Sequence, residues 1–207
     1  MSSGKNRSRG GFSSVELMVV IGLIMIISAM AILAFLPALQ DARFDAAMRQ
    51  VVEQLRQGRE YAIANRRYVQ VTFPTVAGPG GPQYQVVLTE RNDLTAGAGA
   101  VNPVLSAIPL QLPARYTLVM GIDTPDNFSG GPPVGPVVFE GIVNGPVGGM
   151  LFQSDGELVD GNTFQPINGS VFLGFPGRNT SARAITVLGG TGRIHGWKGT
   201  GTAWVQF

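Results

Sequence analysis

The sequence predicts an α+β fold, in which a long N-terminal helix, apolar in its first half and amphipathic in its second, packs on antiparallel β-sheets. Three observations predict it. Leu17 to Leu36 is an apolar run with no charge and nothing more polar than Ser28. Between Phe44 and Ala62 the apolar residues recur at three- and four-residue steps, the period of one helix face. After Arg67 the period falls to two, and glycine and proline punctuate nearly every gap, as short antiparallel strands require.

The apolar run comes first. At about 1.5 Å per residue a helix of that length spans roughly 30 Å, the thickness of a bilayer's hydrocarbon core. Ahead of it stand Lys5, Arg7 and Arg9 without an acidic residue, so residues 1–11 should stay cytoplasmic and the rest should be exported. A cleaved secretory signal would have a shorter core and a small-residue cleavage site; this run is full length and passes through Pro37 into QDARFDAAMRQ without one. The sequence therefore predicts an uncleaved anchor.

Glu16 sits at the edge of that run, between Val15 and Leu17. A carboxylate inside lipid costs about 2.5–3.5 kcal/mol, less near the interface, and such residues are usually paired. The next cation along the chain is Arg43, too far to help. A cut between Gly11 and Phe12 would free an α-ammonium four residues from Glu16, within reach on a helix and well placed to meet a neighbouring copy. Alternatively, Glu16 marks the membrane edge, where a negative charge suits a helix N-terminus.

GFSSVELMVVIGLIMI resembles the leader junction of type IV prepilins and type II secretion pseudopilins, with a short basic leader, Gly11 before the cut, Phe12 as first mature residue and Glu16 at the fifth mature position. The resemblance implies cleavage after Gly11 and methylation of the Phe12 amine by a prepilin peptidase. It assigns processing to Gly11 and Phe12 and assembly to Phe12 and Glu16. Residues 1–11 would be the leader, 12–39 the transmembrane part of the helix and 40–207 a periplasmic domain. The family's helix-bending proline usually stands about one turn before the position of Pro37.

In DARFDAAMRQVVEQLRQGREYAIANRR the stripe Phe44, Met48, Val51, Val52, Leu55 and Ala62 predicts a buried face, with Arg43, Arg49, Glu53, Arg56 and Glu60 largely opposite. Gly58 weakens this helix by up to about 1 kcal/mol relative to alanine. A nearly continuous helix from about Phe12 to Asn65 results. Candidate strands follow at Tyr68–Phe73, QYQVVLT, RYTLVMG, PVVFE, GMLFQ, GSVFLGF, RAITVLG, GRIHGW and TAWVQF. Asn92 to Pro113 and DTPDNFSGGPPVGP read as long surface loops.

LRQGREYAIANRRYVQVTF, LFQSDGELVDGN and ARAITVLGGTGRIHGW resemble the GspH/FimT pseudopilin domain, with its Gly-Arg pair in the closing hairpin. That resemblance implies a pilin-like domain with the helix on two antiparallel sheets, acting as a minor subunit of a type II secretion pseudopilus or a type IV pilus. It implies an inner-membrane, single-pass protein whose partners are other pilins or pseudopilins, the prepilin peptidase and a secretion or pilus assembly platform. Its role would be protein secretion or pilus biogenesis.

Charge and composition bear on the rival functions. Without Lys5, Arg7 and Arg9 the chain holds 12 basic and 13 acidic residues, so net charge does not make it a polyanion binder. There is no cysteine to staple the domain. The C-terminal end is locally basic: after Asp160 no acid occurs, while Arg178, Arg183, Arg193, His195 and Lys198 do. Some FimT-like proteins use a Gly-Arg motif with a second arginine two positions on to bind DNA. Here His195 stands in that place, and a nucleic-acid reading would use Arg193, His195, Trp197 and Lys198, with fewer phosphate contacts. Trp197 and Trp204 also read as sheet core.

Enzyme motifs are missing. The single histidine has no nucleophile pattern around it, and no P-loop, G-x-S-x-G or H-E-x-x-H occurs. SDGELVDGN lacks the spacing of a calcium loop and reads as hairpin turns. The sequence predicts neither cofactor nor metal.

Overall fold

The computed structural model describes residues 13–78, 81–97, 99–110, 115–116, 124–127, 136–140, 149–175 and 178–207. Helix α1 covers Ser14–Asn65, with Pro37 inside it. The chain divides into two compact units, Met1–Gln40 and Asp41–Phe207.

In the first unit α1 is apolar all round. Its side chains from Val15 to Ile32 are exposed almost throughout, and a window of this helix is long and apolar enough to cross a membrane. Among the described residues no other element of the unit covers them. A helix of this composition in water would leave hundreds of Å² of apolar surface wet, which soluble domains avoid.

In the second unit the stripe turns inward. Phe44, Met48, Val51, Leu55 and Ala62 are each at most 1% exposed and join Val69, Val71, Leu88, Met150, Phe152, Val171, Leu173 and Ile185 in one core. The cost attached to Gly58 has a local reason. A Cβ there would lie 3.2 Å from Val71 Cγ2, so the missing side chain lets α1 approach the sheet closely.

Strands β1 (Val69–Thr72), β2 (Thr75–Gly78), β3 (Gly81–Glu90), β4 (Val104–Pro109), β7 (Met150–Phe152) and β8 (Leu158–Val159) form the first sheet. The second contains β5 (Arg115–Tyr116), β6 (Val137–Phe139), β9 (Gly169–Phe175), β10 (Arg178–Leu188), β11 (Arg193–Gly199) and β12 (Trp204–Gln206). Every pairing is antiparallel, so the domain is α+β. Two long neighbours, β9 and β10, carry a smaller cluster on the face away from the main core: Phe172, Ala182, Ala184 and Val138, with Trp197 and Trp204 packed against it.

One expected loop is partly a strand. Within Asn92 to Pro113 the chain forms a single helical turn, α2 (Asp93–Ala96), and then β4, which pairs with β3 from Gln85↔Pro109 to Thr89↔Val104. The segment VLSAIP is short and lies between prolines, so its alternation is faint; pairing with a neighbour rather than intrinsic preference makes it extended. Ion pairing tightens the entry to this region, where Arg91 and Asp93 meet at 2.7 Å. That contact lowers the Asp93 carboxyl to about 2. SDGELVDGN forms two turns, as expected, on either side of the short strand β8. Gly156 N donates to Gln153 O between β7 and β8, and the Asp160 carboxylate accepts from Asn162 N and Thr163 Oγ1.

Two polar links tie the amphipathic half of α1 to the sheets. Arg183 of β10 is fully buried, and its Nε donates to Asp45 Oδ1 at 2.6 Å. Nearer the end of the helix Tyr61 donates to Glu90 Oε2 of β3 at 2.8 Å. Hydrogen bonding to that carboxylate raises the Tyr61 pKa above its ordinary value, with desolvation adding to it.

Candidate functional site

Two places in the molecule hold the residues that the sequence singles out. Gly11 and Phe12 lie outside the described residues. Glu16 lies in the first turn of α1, exposed, with Val15, Leu17, Met18, Val19 and Val20 exposed around it. Ser13 begins the helix, its carbonyl accepting from Leu17 N. A carboxylate there gains about 0.3–1 kcal/mol from the helix dipole. Immersed in lipid it would cost about 2.5–3.5 kcal/mol, so the dipole alone cannot hold it there. From Gly10 to Ala42 the sequence contains no lysine or arginine, so no side chain of the first unit's apolar helix supplies the counter-charge.

The second place is the closing hairpin of the second sheet. A one-turn 3-10 helix, Gly189–Thr191, links β10 to β11, and Gly192 follows in the left-handed region at φ 61°. A side chain at Gly192 would meet Gly156 O at 1.9 Å and Arg59 Nε at 2.5 Å. The glycine of the Gly-Arg pair therefore answers to packing. Arg59 explains the crowding: its Nε donates to Gly156 O and its Nη2 to Thr191 O, both at 3.1 Å, clamping two turns to α1.

Beyond the turn, strand alternation distributes the candidate residues over two faces. Thr186↔His195 and Ala184↔Trp197 stand in register on the side of the small cluster. Lys198 is opposite Arg183, whose side chain meets α1, and so belongs to the other face. Trp197 donates from Nε1 to Thr186 Oγ1 at 2.9 Å and packs against the cluster, so its ring is a wall of the sheet. The same threonine donates to Asp126 Oδ2 at 2.7 Å. His195 turns its buried Nδ1 toward that carboxylate at 3.5 Å. The histidine thus faces an acid on a turn whose Asp126 has φ 64°. Arg193, at the head of the strand, is exposed. Of the four residues of a nucleic-acid reading, Arg193 alone is exposed and the other three are half-buried; the fold does not gather them into one cationic surface.

No family model, curated protein or solved structure matches this chain.

Arg59, Asp126 and the Asp45–Arg183 pair escaped the sequence reading. Arg59 and Asp45 look like any polar residue on a solvated helix face, and their partners lie 97 and 138 residues away along the chain. Spacing cannot reveal such partners. The apolar stripe around them could have, because a charged residue flanking a buried face is the natural one to reach across to a sheet.

Proposed function

We propose that this chain is a membrane-anchored minor subunit of the GspH/FimT kind, which joins a type II secretion pseudopilus or a type IV pilus and works by assembly. One observation carries the reading: a lone carboxylate, Glu16, opens a charge-free apolar helix whose continuation beyond Asp41 is the core of an α+β domain. Cleavage after Gly11 would give the Phe12 amine that this carboxylate lacks. The pair would then form between copies or neighbours during insertion into a filament, where lipid or packed helices make an unpaired charge costly.

The test is the fate of Glu16→Ala in cells. The variant should be processed and should keep a folded domain, yet fail to crosslink to other pilin-like subunits; normal incorporation would overturn the pairing. Mass spectrometry should find Phe12, methylated, at the N-terminus of protein from cells with the peptidase, and an intact Met1 would overturn the processing step. The alternative reading is a DNA-binding minor pilin acting in DNA uptake. It draws on the exposure of Arg193, and it is less well supported because Trp197 is committed to a sheet cluster and His195 faces Asp126.

A further inference from the structure

Along the second unit, α1 and the hairpin β11–β12 enclose two adjoining depressions, each about 350 Å³, that share Arg56 and Ile194. They make one groove. Its floor is apolar, from Met48, Val52, Ile194 and Gly196. Four arginines, Arg49, Arg56, Arg59 and Arg193, line it against two glutamates, Glu53 and Glu60.

The arginines differ in what they are free to do. Arg59 is held by the Gly156 and Thr191 carbonyls, and the Arg49 guanidinium lies 5.9 Å from the Phe207 ring centroid. Neither Arg56 nor Arg193 has a carboxylate within 4 Å among the described residues. The residues of β11 and β12 that line the groove include no aspartate or glutamate side chain. One border of the groove is β12, an end strand of its sheet, hydrogen-bonded to β11 on one side and, among the described residues, to no strand on the other. An edge strand, an apolar floor and surplus guanidinium groups together match an extended acidic chain. Its backbone would pair with the edge, its apolar side chains would fill the floor, and its carboxylates would meet planar donors.

We infer that this groove docks an acidic, extended peptide segment of a partner protein. From Arg49 to Glu60 the helix rises about 16 Å, room for about five extended residues. A nucleic acid fits less well. Glu53 and Glu60 would repel a phosphate chain, and Trp197 stacks on the sheet's other face. The inference concerns the second unit and stands apart from the pairing of Glu16.

Fluorescence anisotropy of the full chain in a non-ionic detergent tests it, with three labelled probes: a hexapeptide alternating glutamate and leucine, the same peptide with lysine for glutamate, and a single-stranded oligonucleotide. The acidic peptide should bind, and Arg56→Gln combined with Arg193→Gln should weaken it by about tenfold or more with an unchanged unfolding transition. Glu16→Ala should leave its binding intact, which separates this site from the assembly contact. Failure of the acidic peptide to bind at about 1 mM, equal binding by the double variant, equal binding of the lysine peptide, or preference for the oligonucleotide would each overturn the inference.

Discussion

The two halves of α1 are built from similar apolar residues and put them to opposite uses. From Leu17 to Ile32 the residues are apolar on every side and exposed almost throughout; after Asp41 they form a stripe and are sealed against two sheets. What differs is the placement of charge. A helix without charge on any side has no face to give to water, whereas Arg49, Glu53 and Arg56 give the second half a wet side and force its apolar stripe inward. The lesson is that the angular distribution of polar groups, more than hydrophobicity itself, separates a segment suited to lipid from one suited to a protein core.

The comparison can be broken first at the buried ion pair. Asp45→Ala would leave the Arg183 guanidinium buried without its carboxylate, at a cost of about 3–5 kcal/mol. Adding Arg183→Leu should recover most of that loss. Chemical denaturation followed by Trp197 and Trp204 fluorescence measures both, and a double variant as unstable as the single one would contradict the account.

A matched pair of truncations sharpens it next. Leu55→Ala, in the sealed half, should destabilise the domain by about 2–4 kcal/mol. Leu23→Ala, in the exposed half, should move the same transition by less than about 0.5 kcal/mol. Similar losses would erase the distinction between the halves.

The smallest effect lies at the end of the helix. Tyr61→Phe removes one hydrogen bond to Glu90, worth about 1 kcal/mol for a partly solvated pair. Because the folded Tyr61 pKa is raised above its unfolded value, its contribution is fully present below about pH 10 and is lost as pH rises through the folded value. Stability of the parent chain should therefore decline at alkaline pH more steeply than that of the variant, as alkaline denaturation series of the two would show.

Legibility followed the reach of each interaction. The long helix, its stripe, and β1, β9, β10 and β11 were plain in the sequence because period and turn residues are local signals. β4 was not, since VLSAIP becomes a strand by pairing with β3. Among the singled-out residues, the aromatic character of Trp197 suggested a sheet-core role and its ring packs against the small cluster, while the opposed faces of His195 and Lys198 needed the register with β10.

By itself the sequence determined where the apolar helix stops being uniform, which residues of its second half turn inward, and that Glu16 stands alone among apolar neighbours. These follow from side-chain chemistry repeated at helical or strand spacing. Only the tertiary structure decided that Arg59 clamps two turns, that Gly192 is required by the approach of Gly156, and that Asp45 neutralises a buried Arg183. The Arg59 and Asp45 contacts join groups 97 to 138 residues apart and the Gly156–Gly192 approach joins two separate turns, and such partners meet only after burial of the apolar surfaces has brought helix and sheet together.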